Sequence, residues 1–304
     1  MRLFLAFTFI TLSLNISSAW ETKNYFGSDV HLYLPKGYSS SKRYPLMVNL
    51  HGCAQKGTIL RDHGNWPSAA DTFEVIVAIP EVPRGGVIAG CWDYYGLDHT
   101  RSNRHNGFII DLTEKLITEL SIDADQVFVS GLSSGGGLSL VLGCLAPDIF
   151  SGLGLNAGPS VGTNSGQISR ATISVDQVMA NCRQLAGDKA RYFNSQIASI
   201  IYGNNDFLVA PDYNRINGKA LSQIYGADGS ESFNPEVFPG KSPAGFGSLS
   251  LVRKSPVVSV IENTGLGHNW PAGQGGSSRS FVNKNSLDYP YYLLQYLTTN
   301  NRRP

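Results

Sequence analysis

Val127-Phe128-Val129-Ser130-Gly131-Leu132-Ser133-Ser134-Gly135-Gly136-Gly137-Leu138 is the stretch that decides the fold. An apolar, β-branched run passes into a serine flanked by glycines, and the serine opens an apolar helical stretch carrying Leu138, Leu140, Val141 and Leu142. Gly131 to Gly135 fits the Gly-x-Ser-x-Gly pattern, in which a sharp strand-to-helix turn holds a nucleophilic hydroxyl above the edge of a sheet. A side chain at either glycine would block that turn, and the free N–H groups of the helix's first turn point toward the reacting centre. The pattern recurs at Gly158-Pro159-Ser160-Val161-Gly162. Ser160, however, runs into the polar stretch Thr163-Asn164-Ser165-Gly166, so it reads as a loop residue and Ser133 as the nucleophile.

Outward from this turn, apolar β-branched runs bounded by turn residues recur at residues 30–34, 46–50, 75–79, 127–130, 153–156, 197–202 and 257–261. They read as strands. Helical spacing lies between several of them, in Ile109, Leu112, Leu116, Ile117 and Leu120, then in residues 138–145 and 291–297. Alternation of strand and helix, with some strands lacking polar alternation, predicts an α/β architecture around a mostly parallel sheet covered on both faces. Residues 214–249 break the periodicity and read as a surface loop contributing a pocket wall, long enough to hide a short helix. Neither an internal repeat nor a Ser/Thr/Pro-rich linker divides the chain, so one catalytic domain is expected over residues 20–304.

A serine becomes a useful nucleophile when a base takes its proton, and histidine is the usual base because it titrates near neutrality. In a strand–Ser–helix architecture the base comes last in the chain, after an acid that orients it. Of six histidines, His31, His51, His63, His99 and His105 precede Ser133, which leaves His268 in Gly265-Leu266-Gly267-His268-Asn269-Trp270. The acid should follow a strand between Ser133 and His268. Asp206, in Gly203-Asn204-Asn205-Asp206 directly after residues 197–202, fits best and Asp212 is the runner-up; Asp148, Asp176, Asp188, Asp228 and Glu262 are placed less well. An oxyanion needs two preorganised N–H donors, one after the nucleophile and one after an early strand. These are read as Ser134 and, in Leu50-His51-Gly52-Cys53-Ala54-Gln55, the N–H of Cys53. Trp66, Trp92, Tyr94, Tyr95 and Trp270 lie near these segments as core or as substrate contacts, with Trp92 and Trp270 expected to press on the acyl group.

The 304 residues carry 24 Lys plus Arg against 23 Asp plus Glu, a balance that offers no basic surplus for a nucleic acid. Arg2, the apolar run 3–14 and Ser17-Ser18-Ala19 read as an export signal cleaved after Ala19. That run is too short to span a bilayer, and no later stretch is long and apolar enough, so a secreted or periplasmic protein without stable membrane insertion is expected. There, Cys53, Cys91, Cys144 and Cys182 form two disulfides in one of three pairings. Their spacing suits no zinc site, and neither metal nor organic cofactor is expected.

Taken in order, His51 to Gln55, Gly90-Cys91-Trp92-Asp93-Tyr94-Tyr95, Gly131 to Gly136, Gly203 to Asp206 and Gly267-His268-Asn269-Trp270 resemble the extracellular polyhydroxybutyrate depolymerase family of esterases. The resemblance runs from about Tyr33 to the closing segment 291–303. It implies the α/β-hydrolase fold, a Ser133, Asp206, His268 triad, an oxyanion hole at Cys53 and Ser134, and disulfides Cys53–Cys91 and Cys144–Cys182, each contributing roughly 3 kcal/mol by loop closure. The activity implied is hydrolysis of a short-chain hydroxyalkanoate polyester or its oligomers. Feruloyl or acetylxylan ester hydrolysis on plant polysaccharide, known in the wider family, is the alternative. A binding protein on a dead hydrolase fold is a third reading, disfavoured because binding needs none of the triad. Several secreted polyester depolymerases carry a separate polymer-binding domain after a linker; this sequence stops after its last helical stretch, so attack on crystalline polymer is less expected.

Overall fold

The computed structural model describes residues 19–239 and 245–304. The expected export segment lies outside them, apart from Ala19. Among the described residues, ten strands form one sheet: β1 (Trp20–Tyr25), β2 (Ser28–Tyr33), β3 (Tyr44–Leu50), β4 (Ile76–Pro80), β5 (Ile122–Leu132), β6 (Gly152–Asn156), β7 (Ile197–Gly203), β8 (Gly229–Phe233), β9 (Gly245–Val252) and β10 (Ser255–Asn263). Their order is β1-β2-β4-β3-β5-β6-β7-β10-β9-β8. The strands from β4 to β10 in that order are parallel, while β1 and β2 on one edge and β9 and β8 on the other pair antiparallel. A short pair, β11 (Trp270–Pro271) and β12 (Val282–Asn283), lies outside the main sheet.

Among the described residues, seven α-helices accompany the strands: α1 (Gly57–His63), α2 (Trp66–Phe73), α3 (Arg104–Glu119), α4 (Ser134–Leu145), α5 (Val175–Ala186), α6 (Pro211–Ile224) and α7 (Tyr289–Asn300). Alternate residues of the inner strands enter opposite core layers, as the twofold period of a strand requires. Leu46, Val48 and Leu50 of β3 and Val127 and Val129 of β5 pack with the apolar faces of α3, α4, α5 and α6. Met47 and Phe128 pack on the other side with α1, α2 and α7. Every residue of β4, β6 and β7 is buried, which explains apolar runs without alternation. This strand order, with helices on both faces, is the α/β-hydrolase fold.

Residues 214–249 are not a loop, because they contain most of α6, all of β8 and part of β9. Helix α6 turns Asn214, Asn217 and Gly218 inward beside Tyr213, Ala220, Leu221 and Ile224, so polar and small residues interrupt its apolar face. Strands β8 and β9, Ser- and Gly-rich, form the half-exposed sheet edge. No helix among the described residues is long and apolar enough to cross a membrane.

Candidate active site

The parallel strands deliver their loops to one edge of the sheet, where ligands of α/β proteins bind. β5 ends at Leu132, and Ser133 follows with φ 59° and ψ −119°. Such a backbone is costly for a side chain other than glycine, and structures retain it where the surroundings over-determine it. Here Ser133 N–H donates to Asn156 O at 2.9 Å and Ser133 O accepts from Gly137 N–H at 2.8 Å. A Cβ on Gly135 would lie inside the contact distance of Leu50 O and His51 O, so only glycine lets α4 approach β3 so closely. From Val127 to Pro147 every residue is buried except Ser133, which is partly exposed.

Asp206 follows β7 and His268 follows β10, the neighbouring strand. His268 Nδ1 lies 2.7 Å from Asp206 Oδ2, and both side chains are nearly buried. Asp206 Oδ1 accepts from the N–H groups of Leu208 and Val209, each at 2.9 Å, which fixes the carboxylate and leaves Oδ2 for the ring. The two loops are zipped together: Asn204 N–H donates to Asn263 O at 3.0 Å, Asn205 N–H to Leu266 O at 3.1 Å, and Gly265 N–H to Asn204 Oδ1 at 2.8 Å. A Cβ on Gly203 would overlap Leu266 O, so the zip requires glycine there. Asp212, the runner-up acid, is instead exposed on α6 and paired with Arg215 at 2.7 Å.

One residue joins the two halves. Asn156, at the end of β6, accepts Ser133 N–H on its carbonyl and donates its own Nδ2 to Asn269 O, beside His268, at 3.0 Å. Ser133 Oγ makes no hydrogen bond to His268 among the described residues; such bonds are often long or misaligned before substrate arrives.

The loop after β3 passes beside Ser133, since a Cβ on Gly52 would lie 3.4 Å from Ser133 Cβ. Neither Cys53 N–H nor Ser134 N–H donates to a described acceptor. Val82 N–H donates to His51 Nε2 at 3.3 Å, which puts the ring proton on Nδ1, 2.8 Å from Gly52 O. Burial lowers the His51 pKa from its ordinary value although Glu81 lies 3.9 Å away, in keeping with the neutral ring that the Val82 bond requires. A trans peptide points its N–H away from its carbonyl. Anchoring Gly52 O to His51 therefore fixes the direction of Cys53 N–H. Cysteines 53 and 91 are joined, as are 144 and 182, so one bridge ties this loop to the segment before Trp92 and the other ties α4 to α5.

Trp92 and Trp270, expected on the substrate, have no exposed surface. Trp92 lies between the rings of His51 and His105, its backbone N–H on Ser134 Oγ at 3.2 Å. Trp270 packs against Trp66 and Tyr289 and donates Nε1–H to Gly64 O at 3.2 Å. Both are core residues supporting the site from below. Trp66 and Tyr94 are buried as well, and Tyr95 is half-buried. Ser160 is buried, its Oγ on Asn217 Oδ1 at 2.6 Å, and holds α6 against the loop after β6. The apolar residues that do face solvent here are ones the sequence reading passed over. Phe207 (82% exposed) and Leu208 (48%) follow Asp206, Ile88 (66%) precedes Cys91, and Phe281 (38%) stands against His268.

A family model described as "Esterase PHB depolymerase" matches residues 28–225, about two thirds of the chain, including Ser133 and Asp206. The chain belongs to this family. Within it, a poly(3-hydroxybutyrate) depolymerase of Ralstonia pickettii is 33% identical over 268 residues, covering 85% of this chain and 54% of that protein. Poly(3-hydroxyalkanoate) depolymerase C of Paucimonas lemoignei is 26% identical over 278 residues, covering 87% and 65%. The chain thus spans between about half and two thirds of the length of these curated relatives. Among solved structures, an acetyl xylan esterase from Aspergillus awamori shares the fold with a TM-score of 0.66 at 17% identity, covering 82% of this chain and 94% of that one.

Proposed function

We propose that this esterase-family chain is an exported serine hydrolase that cleaves poly(3-hydroxybutyrate)-type polyester or its oligomers through an acyl-enzyme. The observation that carries the reading is the Asp206–His268 pair at 2.7 Å, linked through Asn156 to the turn on which Ser133 is the one partly exposed residue. Ser133 Oγ attacks the ester carbonyl while His268 Nε2 takes its proton, and Asp206 holds the ring with its other proton on Nδ1. The oxyanion is received by Cys53 N–H and Ser134 N–H. Collapse expels the alcohol with the proton returned from His268; water then attacks the acyl-enzyme by the same route and releases the hydroxy acid.

The apolar residues around the site, Ile88, Phe207, Leu208 and Phe281, favour an apolar polyester over a hydroxyl-covered polysaccharide. The names of the relatives, depolymerases of poly(3-hydroxybutyrate) and poly(3-hydroxyalkanoate), support the same substrate class. Two disulfides fit export to an oxidising compartment. The test sets the purified protein and its Ser133→Ala variant on amorphous polyhydroxybutyrate and on feruloylated arabinoxylan, with released acids identified by chromatography. Serine-dependent release of 3-hydroxybutyrate or its oligomers is expected; release of ferulate alone would overturn the substrate and leave the catalytic assignment standing.

A further inference from the structure

Phe281 is exposed on one side and meets the His268 ring edge-to-face on the other, with ring centroids 6.0 Å apart. The backbone beneath it is unusual. Ser280 has φ 41° and Phe281 φ 65°, two successive side-chain-bearing residues in the left-handed region. Each is a costly conformation for a side-chain-bearing residue, so the segment persists because its surroundings hold it.

Phe281 O accepts from Trp270 N–H at 2.7 Å, and Arg279 and Val282 bond each other across the turn at 2.9 and 3.1 Å. Ser280 O accepts from Gln55 Nε2 at 2.6 Å. Gln55 is buried, and its Oε1 accepts from Gly52 N–H at 2.8 Å, in the loop that carries Cys53. One amide side chain therefore spans the oxyanion loop and the Phe281 turn, and sets their separation. A strained backbone held by this many bonds, presenting a large apolar ring to solvent beside the base, has the form of a built surface.

We infer that Phe281 is a specificity-determining residue that walls the alcohol half of the ester. The inference rests on the Ser133–His268 reading above. His268 returns its proton to the departing alkoxide, so the leaving oxygen lies at the imidazole and the carbons attached to it extend past the ring. Phe281 stands against that ring. In a hydroxyalkanoate polyester the carbon bearing the leaving oxygen is secondary and carries the monomer's side chain. The ring contacts that branch: it accepts a small alkyl group and obstructs a long one.

The experiment uses two ester series on the wild type, Phe281→Ala and Phe281→Leu. One fixes the butyryl group and varies the alcohol from ethanol through 2-propanol to 2-hexanol; the other fixes p-nitrophenol and varies the acyl chain. Removing the wall should raise the kcat/KM for the 2-hexyl ester relative to the 2-propyl ester by roughly tenfold, the scale of a small apolar fit in a pocket. The acyl series should change by one common factor, because its leaving group is constant. Phe281→Leu keeps an apolar side chain and carries the comparison if the alanine variant does not fold. Titration with a serine-directed phosphonate separates the two readings. A wild type that is neither labelled nor active overturns the catalytic reading and this inference with it. Full labelling with an unchanged alcohol preference, or a change confined to the acyl series, overturns the role of Phe281 alone.

Discussion

Replacing Asp206 by Asn changes one atom of the Asp206–His268 pair and leaves its support in place. Oδ1 still accepts from Leu208 and Val209, so the loop keeps both 2.9 Å bonds and the thermal midpoint should move by less than about 3 °C. Where Oδ2 accepted the Nδ1 proton of His268 at 2.7 Å, an amide N–H now donates. The imidazole answers by carrying its proton on Nε2, and a protonated Nε2 cannot take the proton of Ser133. The carboxylate's attraction for the transient imidazolium is lost too, about 4 kcal/mol for charges 4 Å apart at an effective dielectric constant of 20, or roughly 10³-fold in rate. With the tautomer added, the expected fall in kcat is about 10⁴-fold, the loss known for this exchange in Ser-His-Asp triads. The assay is the steady-state rate on a soluble p-nitrophenyl ester, beside Asp212→Asn, which should stay within twofold because Asp212 pairs on the surface with Arg215. An Asp206→Asn enzyme within tenfold of wild type, or equal losses from the two variants, would refute the reasoning.

His51→Phe removes the acceptor of Val82 N–H and the donor to Gly52 O, which should cost about 1–3 kcal/mol of stability for each buried group left unpaired. Because the Cys53 N–H loses its anchor, kcat should fall at least tenfold with KM little changed, and a loss confined to KM would count against an oxyanion role. Asp288 caps α7, and burial raises its carboxyl to about 6 despite bonds from Tyr291 N–H and Asn65. A folded pKa above the unfolded value of about 3.9 means that the native state holds the proton more tightly, so stability should decline as pH rises from about 4 through 6, by about 2–3 kcal/mol. Urea midpoints at pH 4.5 and 7.5 would measure this, and Asp288→Asn should flatten the slope; a slope unchanged in the variant assigns it elsewhere.

What could be read from the residues follows what physics writes into local order. The inner strands were legible because burial on both faces demands continuous apolar, β-branched runs, as in residues 197–202. Strands β1, β8 and β9 lie at the sheet edges, where Thr22, Lys23, Ser230 and Ser248 break that signal. Helix α6 was lost for a different reason: Asn217 faces inward to bond Ser160 and Gly158, so a polar side chain stands where periodicity expects an apolar one. Ser133 stood out by the strand before it and the helix after it, and His268 as the one histidine downstream. Trp92 and Trp270 were misjudged because closeness to a motif in sequence does not say which way a ring points. Phe207 and Phe281 carry no pattern at all, since their exposure comes from turns closed by residues far away in the chain.

The zip between the loops after β7 and β10 makes the Asp206–His268 pair a single inheritable part. Asn204, Asn205, Asn263 and Leu266 bond each other across the gap, and Gly203 admits Leu266 only by having no side chain. A chimera importing the Asp206 loop from a relative must take the His268 loop with it, or the imported carboxylate will arrive without the backbone that aims it. Insertions that retune the pocket belong elsewhere on the rim, and recombination within this family should cut before β7 or beyond the His268 loop, not between them.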